Sequence, residues 1–345
     1  MRVSGDPFGG YVAPRWVARL RYPESTMGDS VQAELLDRAR ALVPLLQQHA
    51  RASEIARHPA DAVVAALREA GVFELMVPRS YGGLELDLDS FLEVGLELAA
   101  GDASAAWVTC FYIEHNWMLC QFPESFQSQL FQDRTHVLAP ASIAPNGIAE
   151  PVGDSFRISG RWQWATGIWH GEWVIVGARV ESSAPVPDLR FFAVPRAECE
   201  LIDTWFVDGL CGTGSHDIEL TNVLVPEERV VSMADMANGC AHGSRLHSGP
   251  LYRTPMIPIL GLAASLPAVG VARAAVQDLL QELPTRGTYL GGQARVDRTS
   301  IQMRLARADL QVRQSEGLLR EIVRELCEVR ERATSKDRAR WLAAA

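Results

Sequence analysis

Trp164 and Thr166 lie two residues apart in the stretch Gly160-Arg161-Trp162-Gln163-Trp164-Ala165-Thr166. At the two-residue period of a β-strand their side chains share one face, an aromatic surface beside a hydroxyl. A flat redox-active heterocycle such as an isoalloxazine needs both: a surface for its ring and a hydrogen-bond partner at its reactive nitrogen, N5. A tryptophan and a threonine on an ordinary half-buried strand give the same pattern. Two other residues offer proton chemistry. His115 lies in Glu114-His115-Asn116-Trp117, inside a largely apolar stretch, and an imidazole titrates near neutral pH. Ser142 begins the segment Ser142-Ile143-Ala144-Pro145-Asn146-Gly147. A histidine on a buried helix is often only a hydrogen-bonded core residue, and a serine at this place can simply cap a turn.

The elements that must position these residues follow from hydrophobic period. Residues 1–26 are rich in Gly, Pro and Arg without apolar period and read as a flexible extension. From Val31, Leu35, Leu36, Ala39, Leu42 and Val43 recur at helical spacing. Pro59 opens a second helix that Gly71 ends. A third is expected over 89–100 and a fourth, apolar on most faces and so buried, over 103–122. Between 137 and 231, alternating runs divided by Gly, Pro, Asn and Asp predict an antiparallel sheet. Helical period returns over 257–283 and 296–332. The predicted class is α+β: a helical domain at 27–136, a central β-domain at 137–235 and a C-terminal helical domain at 248–345.

Composition narrows the function classes. The 345-residue chain is 48% hydrophobic and 22% charged, with a net charge of −9. These are globular values, and the acidic balance speaks against a nucleic-acid partner. No uninterrupted apolar run has the length of a membrane span, and the N-terminus lacks the apolar core of a secretory signal. Six cysteines are scattered without a C-x-x-C pair, which points to free thiols in a reducing cytoplasm. No metal site is read.

Several segments together resemble the acyl-CoA dehydrogenase superfamily, over about residues 31–345. Val77-Pro78-Arg79-Ser80-Tyr81-Gly82-Gly83 is similar to its V-P-x-x-Y-G-G turn. Residues 160–166 resemble its G-x-K-x-W-I-T strand, whose tryptophan and threonine contact the flavin. The segment 220–226 followed by Glu227 resembles the strand ending in V-P. Arg286-Gly287-Thr288-Tyr289 resembles an R-x-T-F segment that reaches the flavin of a neighbouring subunit. The position of the T-E-P-x-x-G-S-D loop of true acyl-CoA dehydrogenases reads instead Ser142-Ile143-Ala144-Pro145-Asn146-Gly147. That form, with Gly209-Leu210-Cys211-Gly212-Thr213-Gly214-Ser215-His216-Asp217 and Leu251-Tyr252-Arg253-Thr254-Pro255, resembles the reduced-flavin monooxygenases of the same fold. Some members hydroxylate 4-hydroxyphenylacetate or steroid-derived phenols.

The resemblance implies the oxygenase component of a two-component system. Reduced FMN or FADH2 with O2 would form a C4a-hydroperoxyflavin that hydroxylates an apolar aromatic or polycyclic substrate. No Gly-x-Gly-x-x-Gly opens a βαβ unit, so electrons must come from a separate NAD(P)H:flavin reductase. His115 matches the family histidine that meets the substrate hydroxyl, and Ser142 the serine that shares the contact. Trp164, Thr166, Arg286 and Thr288 are the implied flavin-binding residues. Arg286 could instead be a solvated residue at a helix end. A homotetramer is implied, as are further helices and a late histidine beyond Ala345. The C-terminal bundle is therefore expected to be incomplete, leaving Leu305, Leu318, Leu319 and Ile322 partly uncovered. Two alternatives stay open: an acyl-CoA dehydrogenase-type flavoprotein, although the 250–270 helix carries no glutamate base, and a non-catalytic subunit of the same fold.

Overall fold

A computed structural model describes residues 30–283 and 297–344. The predicted extension at 1–26 and the implied flavin contacts Arg286 and Thr288 lie outside the described residues.

The described residues open with four α-helices. In α1 (Ser30–Ala56), Leu35, Leu36, Ala39 and Leu46 form the buried stripe that the sequence period predicts. Helix α2 (Asp61–Glu69) ends at Gly71, whose φ of +72° is a left-handed conformation. The segment 77–83 then folds tightly: a Cβ at Gly83 would sit 2.2 Å from the Val77 carbonyl oxygen, so only glycine fits. Helix α3 (Leu88–Leu98) is capped by the Asp87 carboxylate, which accepts from the Leu88 N–H. Helix α4 (Ala103–Leu119) is capped by Asp102, which accepts from Ser104 and Ala105. Almost all of α4 is buried, as its apolar faces require. A short α5 (Glu124–Leu130) follows, an element too brief to show a period.

Seven strands form one sheet in the order β5-β6-β2-β1-β3-β4-β7: β1 (Ala141–Val152), β2 (Ser155–Ala165), β3 (Trp173–Val180), β4 (Asp188–Pro195), β5 (Glu200–Ile202), β6 (His216–Pro226) and β7 (Val230–Ser232). The sheet is mixed, not purely antiparallel, because β1 and β3 run parallel. The reason is topological. β1 and β2 form a hairpin and β6 takes the other edge of β2. The chain leaving β2 must cross β1 to reach its free edge, and it arrives in the direction of β1.

After the short helices α6 (Met233–Asn238) and α7 (His242–Leu246), the chain ends in α8 (Met256–Glu282), α9 (Thr299–Val329) and α10 (Ser335–Ala344). By length and composition α8 would suffice to cross a membrane, which corrects the reading that no segment reaches that length. It packs instead against α4, α3, α9 and α10, and over half of its most apolar window is buried. The main core joins residues from α1–α4 with residues from α8–α10, and a second core lies within the sheet. The expected gaps in the C-terminal bundle are mostly filled. Leu305, Leu319 and Ile322 are buried, and Leu318 alone of the four is exposed, because α9 turns the first three toward the neighbouring helices. All six cysteines are free.

Candidate active site

Trp107, Phe111 and His115 recur every four residues on α4 and so line one face of it. Their rings follow one another at 5.1 Å and 5.6 Å between centroids. At one end of this strip Trp107 Nε1 donates to Thr166 Oγ1 at 3.4 Å. At the other, His115 Nδ1 lies 2.7 Å from the Ala139 carbonyl oxygen. A carbonyl only accepts, so Nδ1 carries the hydrogen and Nε2 keeps its lone pair. Burial pushes the His115 pKa down to about 4, against the opposing pull of the Ala139 bond. The imidazole is therefore neutral near pH 7.

Glu114 Oε2 approaches His115 Nε2 to 3.3 Å, yet neither carboxyl oxygen has hydrogen-bonding geometry with a partner among the described residues. The contact is a close approach and not an ion pair. Burial holds the carboxyl well above the usual carboxylate range, as it holds the imidazole below its own. For each group the dry apolar setting favours the uncharged form.

The shared face expected of Trp164 and Thr166 is not a regular strand face. The pairing of β2 with β6 shifts register between Trp162 and Ala165, and Trp164 takes φ +62°, a conformation uncommon for a side-chain-bearing residue. This bulge leaves the Trp164 indole 65% exposed, while Thr166, one residue past β2, is only 8% exposed. Trp162 fills the sheet core instead. Its Nε1 donates to the Gly177 carbonyl at 2.7 Å, and its ring lies so close to Gly147 that a Cβ there would be 2.2 Å from Cζ2.

Thr166 Oγ1 is also 3.0 Å from Ser215 Oγ, which is 2.8 Å from Thr213 Oγ1. Thr213 and Ser215 come from the 209–217 loop, whose Cys211–Thr213 segment is a single 3-10 turn. Ser142 Oγ donates to the Gln163 carbonyl at 2.8 Å, tying the start of β1 to the bulged end of β2. The structure thus links Ser142 to the Trp164 segment and links Thr166 to the His115 helix. His170 contacts Asp61 at 2.9 Å, and His216 Nδ1 accepts from the Thr204 and Trp205 N–H groups. Both histidines tie elements together. Sequence reasoning gives no role to Trp107, Phe111 or Glu114, and reads the 212–215 loop only as a plain turn, a pocket floor or a set of backbone N–H groups for a phosphate, with no part for the Thr213 and Ser215 hydroxyls. The four-residue spacing of Trp107, Phe111 and His115 is the signal available for the first two.

Known proteins match this arrangement. The model of the acyl-CoA dehydrogenase N-terminal domain matches residues 30–127, and that of the C-terminal domain matches 262–345. A pigment production hydroxylase from Rhodococcus sp. (strain ATCC 21145) is 34% identical over 314 residues, covering 90% of this chain and 81% of that protein. The chain belongs to the acyl-CoA dehydrogenase superfamily, in its flavin-dependent hydroxylase branch. The oxygenase component of an FADH(2)-dependent resorcinol hydroxylase from Rhizobium sp. (strain MTP-10005) is 33% identical, covering 84% of this chain and 73% of that protein. Among solved structures, the HsaA monooxygenase from M. tuberculosis superposes with a TM-score of 0.83 at 28% identity, covering 90% of this chain and 81% of that one. XiaF from Streptomyces sp., in complex with FADH2 and glycerol, gives 0.79 at 25% identity, covering 91% and 83%.

The residues of this branch member fit a flavin. The indole of Trp164 is exposed two residues before a hydroxyl, Thr166, that is hydrogen-bonded to Trp107 and Ser215. That combination suits a flat ring with a polar edge. Among the described residues, no group of three His, Cys, Asp or Glu is placed to hold a metal ion.

Proposed function

We propose that this chain is the oxygenase component of a two-component flavin-dependent monooxygenase that hydroxylates a largely apolar aromatic substrate. The single observation that carries this reading is the Trp107–Phe111–His115 strip, which joins the hydroxyl proposed for the flavin to a neutral imidazole proposed for the substrate. The named relatives, both hydroxylases, support the same conclusion.

When bound, reduced flavin supplies the electrons and activates O2. The chain's own residues do the rest. Trp164 would offer the flavin an aromatic surface and Thr166 a hydrogen-bonding hydroxyl, with Arg286 and Thr288 as further residues that would hold it. His115 Nε2, which keeps its lone pair because Nδ1 carries the hydrogen, would accept the hydrogen of a substrate hydroxyl and make the ring more electron-rich. Ser142 orients the same hydroxyl. The apolar face of α4 keeps water from the reacting centre. Reduced FMN or FADH2 would be delivered by a separate NAD(P)H:flavin reductase. A homotetramer in the cytoplasm, with helical, β and helical domains at 27–136, 137–235 and 248–345, completes the proposal.

The test is to purify the chain and titrate it with oxidised and reduced FMN and FAD, then admit air with and without phenols. A nearly colourless protein that binds reduced flavin more tightly, and forms hydroxylated product only when a reductase is added, is the expected outcome. Oxidation of NAD(P)H by the pure chain, or bleaching of flavin by acyl-CoA, would overturn it.

A further inference from the structure

Thr213, Ser215 and Thr166 form a buried row of three hydroxyls joined by two hydrogen bonds, of 2.8 Å and 3.0 Å. Three hydroxyls carry three protons, and two links use two of them. The third must sit on one of the three residues. Thr213 is fully buried and Ser215 nearly so, and neither has another hydrogen-bond acceptor among the described residues. A proton stranded on either would be a buried donor without a partner, an arrangement that folded proteins avoid. Thr166 is the most exposed of the three. The row therefore runs Thr213 to Ser215 to Thr166, each donating to the next, and the spare proton points out from Thr166. Trp107 Nε1 can only donate, so it fills the second lone pair of Thr166 Oγ1.

We infer that Ser215 is a positioning residue that locks Thr166 as a hydrogen-bond donor toward the flavin. The inference rests on that flavin reading, with Thr166 as the hydrogen-bond partner at N5. Oxidised flavin offers a bare lone pair at N5, whereas reduced flavin carries a hydrogen there and gains less from a donor. The row thus moderates the site's preference for the reduced ring and keeps some hold on the oxidised one. Removing the Ser215 hydroxyl frees a lone pair on Thr166, which then accepts as readily as it donates. Removing the Thr213 hydroxyl has no such effect, because Ser215 still avoids a stranded proton only by donating to Thr166.

The experiment measures dissociation constants of oxidised and dithionite-reduced FMN, without oxygen, for the full chain and for Ser215→Ala and Thr213→Val. Ser215→Ala should raise the oxidised-to-reduced ratio of dissociation constants by about three- to tenfold, the worth of one hydrogen bond. Thr213→Val, which also deletes a buried hydroxyl, should leave that ratio unchanged even if both constants move. Ser215→Cys keeps the volume and serves if the alanine variant fails to fold, with a shift in the same direction. A damaged pocket would weaken both redox forms alike, so an unchanged ratio in the Ser215 variants, with flavin still bound, overturns the inference alone. Failure of the unsubstituted chain to bind either form of FMN overturns the flavin reading and this inference with it.

Discussion

Thr166 and His115 stand at opposite ends of the same strip on α4, and the two ends are held in opposite ways. Around Thr166, Trp107, Ser215 and Thr213 place polar hydrogens and oxygens in contact with one another. Around His115 one nitrogen is bonded, while the neighbouring Glu114 carboxyl, entirely buried, has no hydrogen-bond partner among the described residues. The first end is organised by satisfied hydrogen bonds. The second is organised by the exclusion of water, which pushes acid and imidazole toward their neutral forms at a cost in stability. A site built for binding tolerates the first arrangement easily. The second is a local conflict of the kind that folded proteins carry where chemistry requires it.

The sharpest way to break this comparison is to remove the imidazole. His115→Ala should lower hydroxylated product per turnover by roughly a hundred- to ten-thousand-fold, the usual range for a lost general acid–base group. Oxidation of reduced flavin by O2 should continue at close to its normal rate, with hydrogen peroxide in place of product. Unchanged product yield would make His115 a core residue that happens to lie beside Ala139.

A smaller effect, of opposite sign, is expected at its neighbour. Glu114→Leu keeps the volume and deletes an unbonded polar group, so the fold should gain about 1–3 kcal/mol in denaturant unfolding. The pH dependence gives the sign a second check. Burial raises the Glu114 pKa in the folded chain, so above the unfolded carboxyl's pKa the native state holds a proton that the unfolded state has released. Stability then falls as pH rises through that window, and the leucine variant loses this fall. Its advantage should be larger at pH 8 than at pH 5. A variant less stable at both values would mean that the carboxyl is partnered after all.

Ser142→Ala should have the least effect, about 1 kcal/mol from the lost bond to Gln163. If Ser142 also orients the substrate, the affinity for a phenol in flavin-free protein falls several-fold while that for the same ring without a hydroxyl does not. Equal affinities for both ligands before and after the change would reduce Ser142 to its tie between β1 and β2.

Much of the molecule was legible in its residues. The helical stripe of α1, the glycine that ends α2 and strands between 137 and 231 appear where the period and the turn residues place them. The joint presence of 77–83, 160–166 and 209–217 points to the superfamily from the residues alone. Such features depend on neighbours two to four positions away, and short-range spacing is what a sequence displays. The site was legible only as types: a histidine on a buried helix, a serine before a turn, a tryptophan and threonine near a strand end.

Their relations were not. Thr166 meets Trp107 and Ser215 across 59 and 49 residues of chain, and no local period encodes a contact of that separation. The register shift that turns Trp164 outward depends on how β6 pairs with β2. The parallel pairing of β1 with β3 depends on which sheet edges remain free once β6 has docked. The bias of Glu114 and His115 toward their uncharged forms comes from water excluded by the helices around α4. The sequence by itself determined which elements form and which chemical groups they carry, because propensity and period act over a few residues. Tertiary structure alone decided which groups meet, which way they face and which are charged, because burial and long-range pairing exist only once the chain has closed on itself.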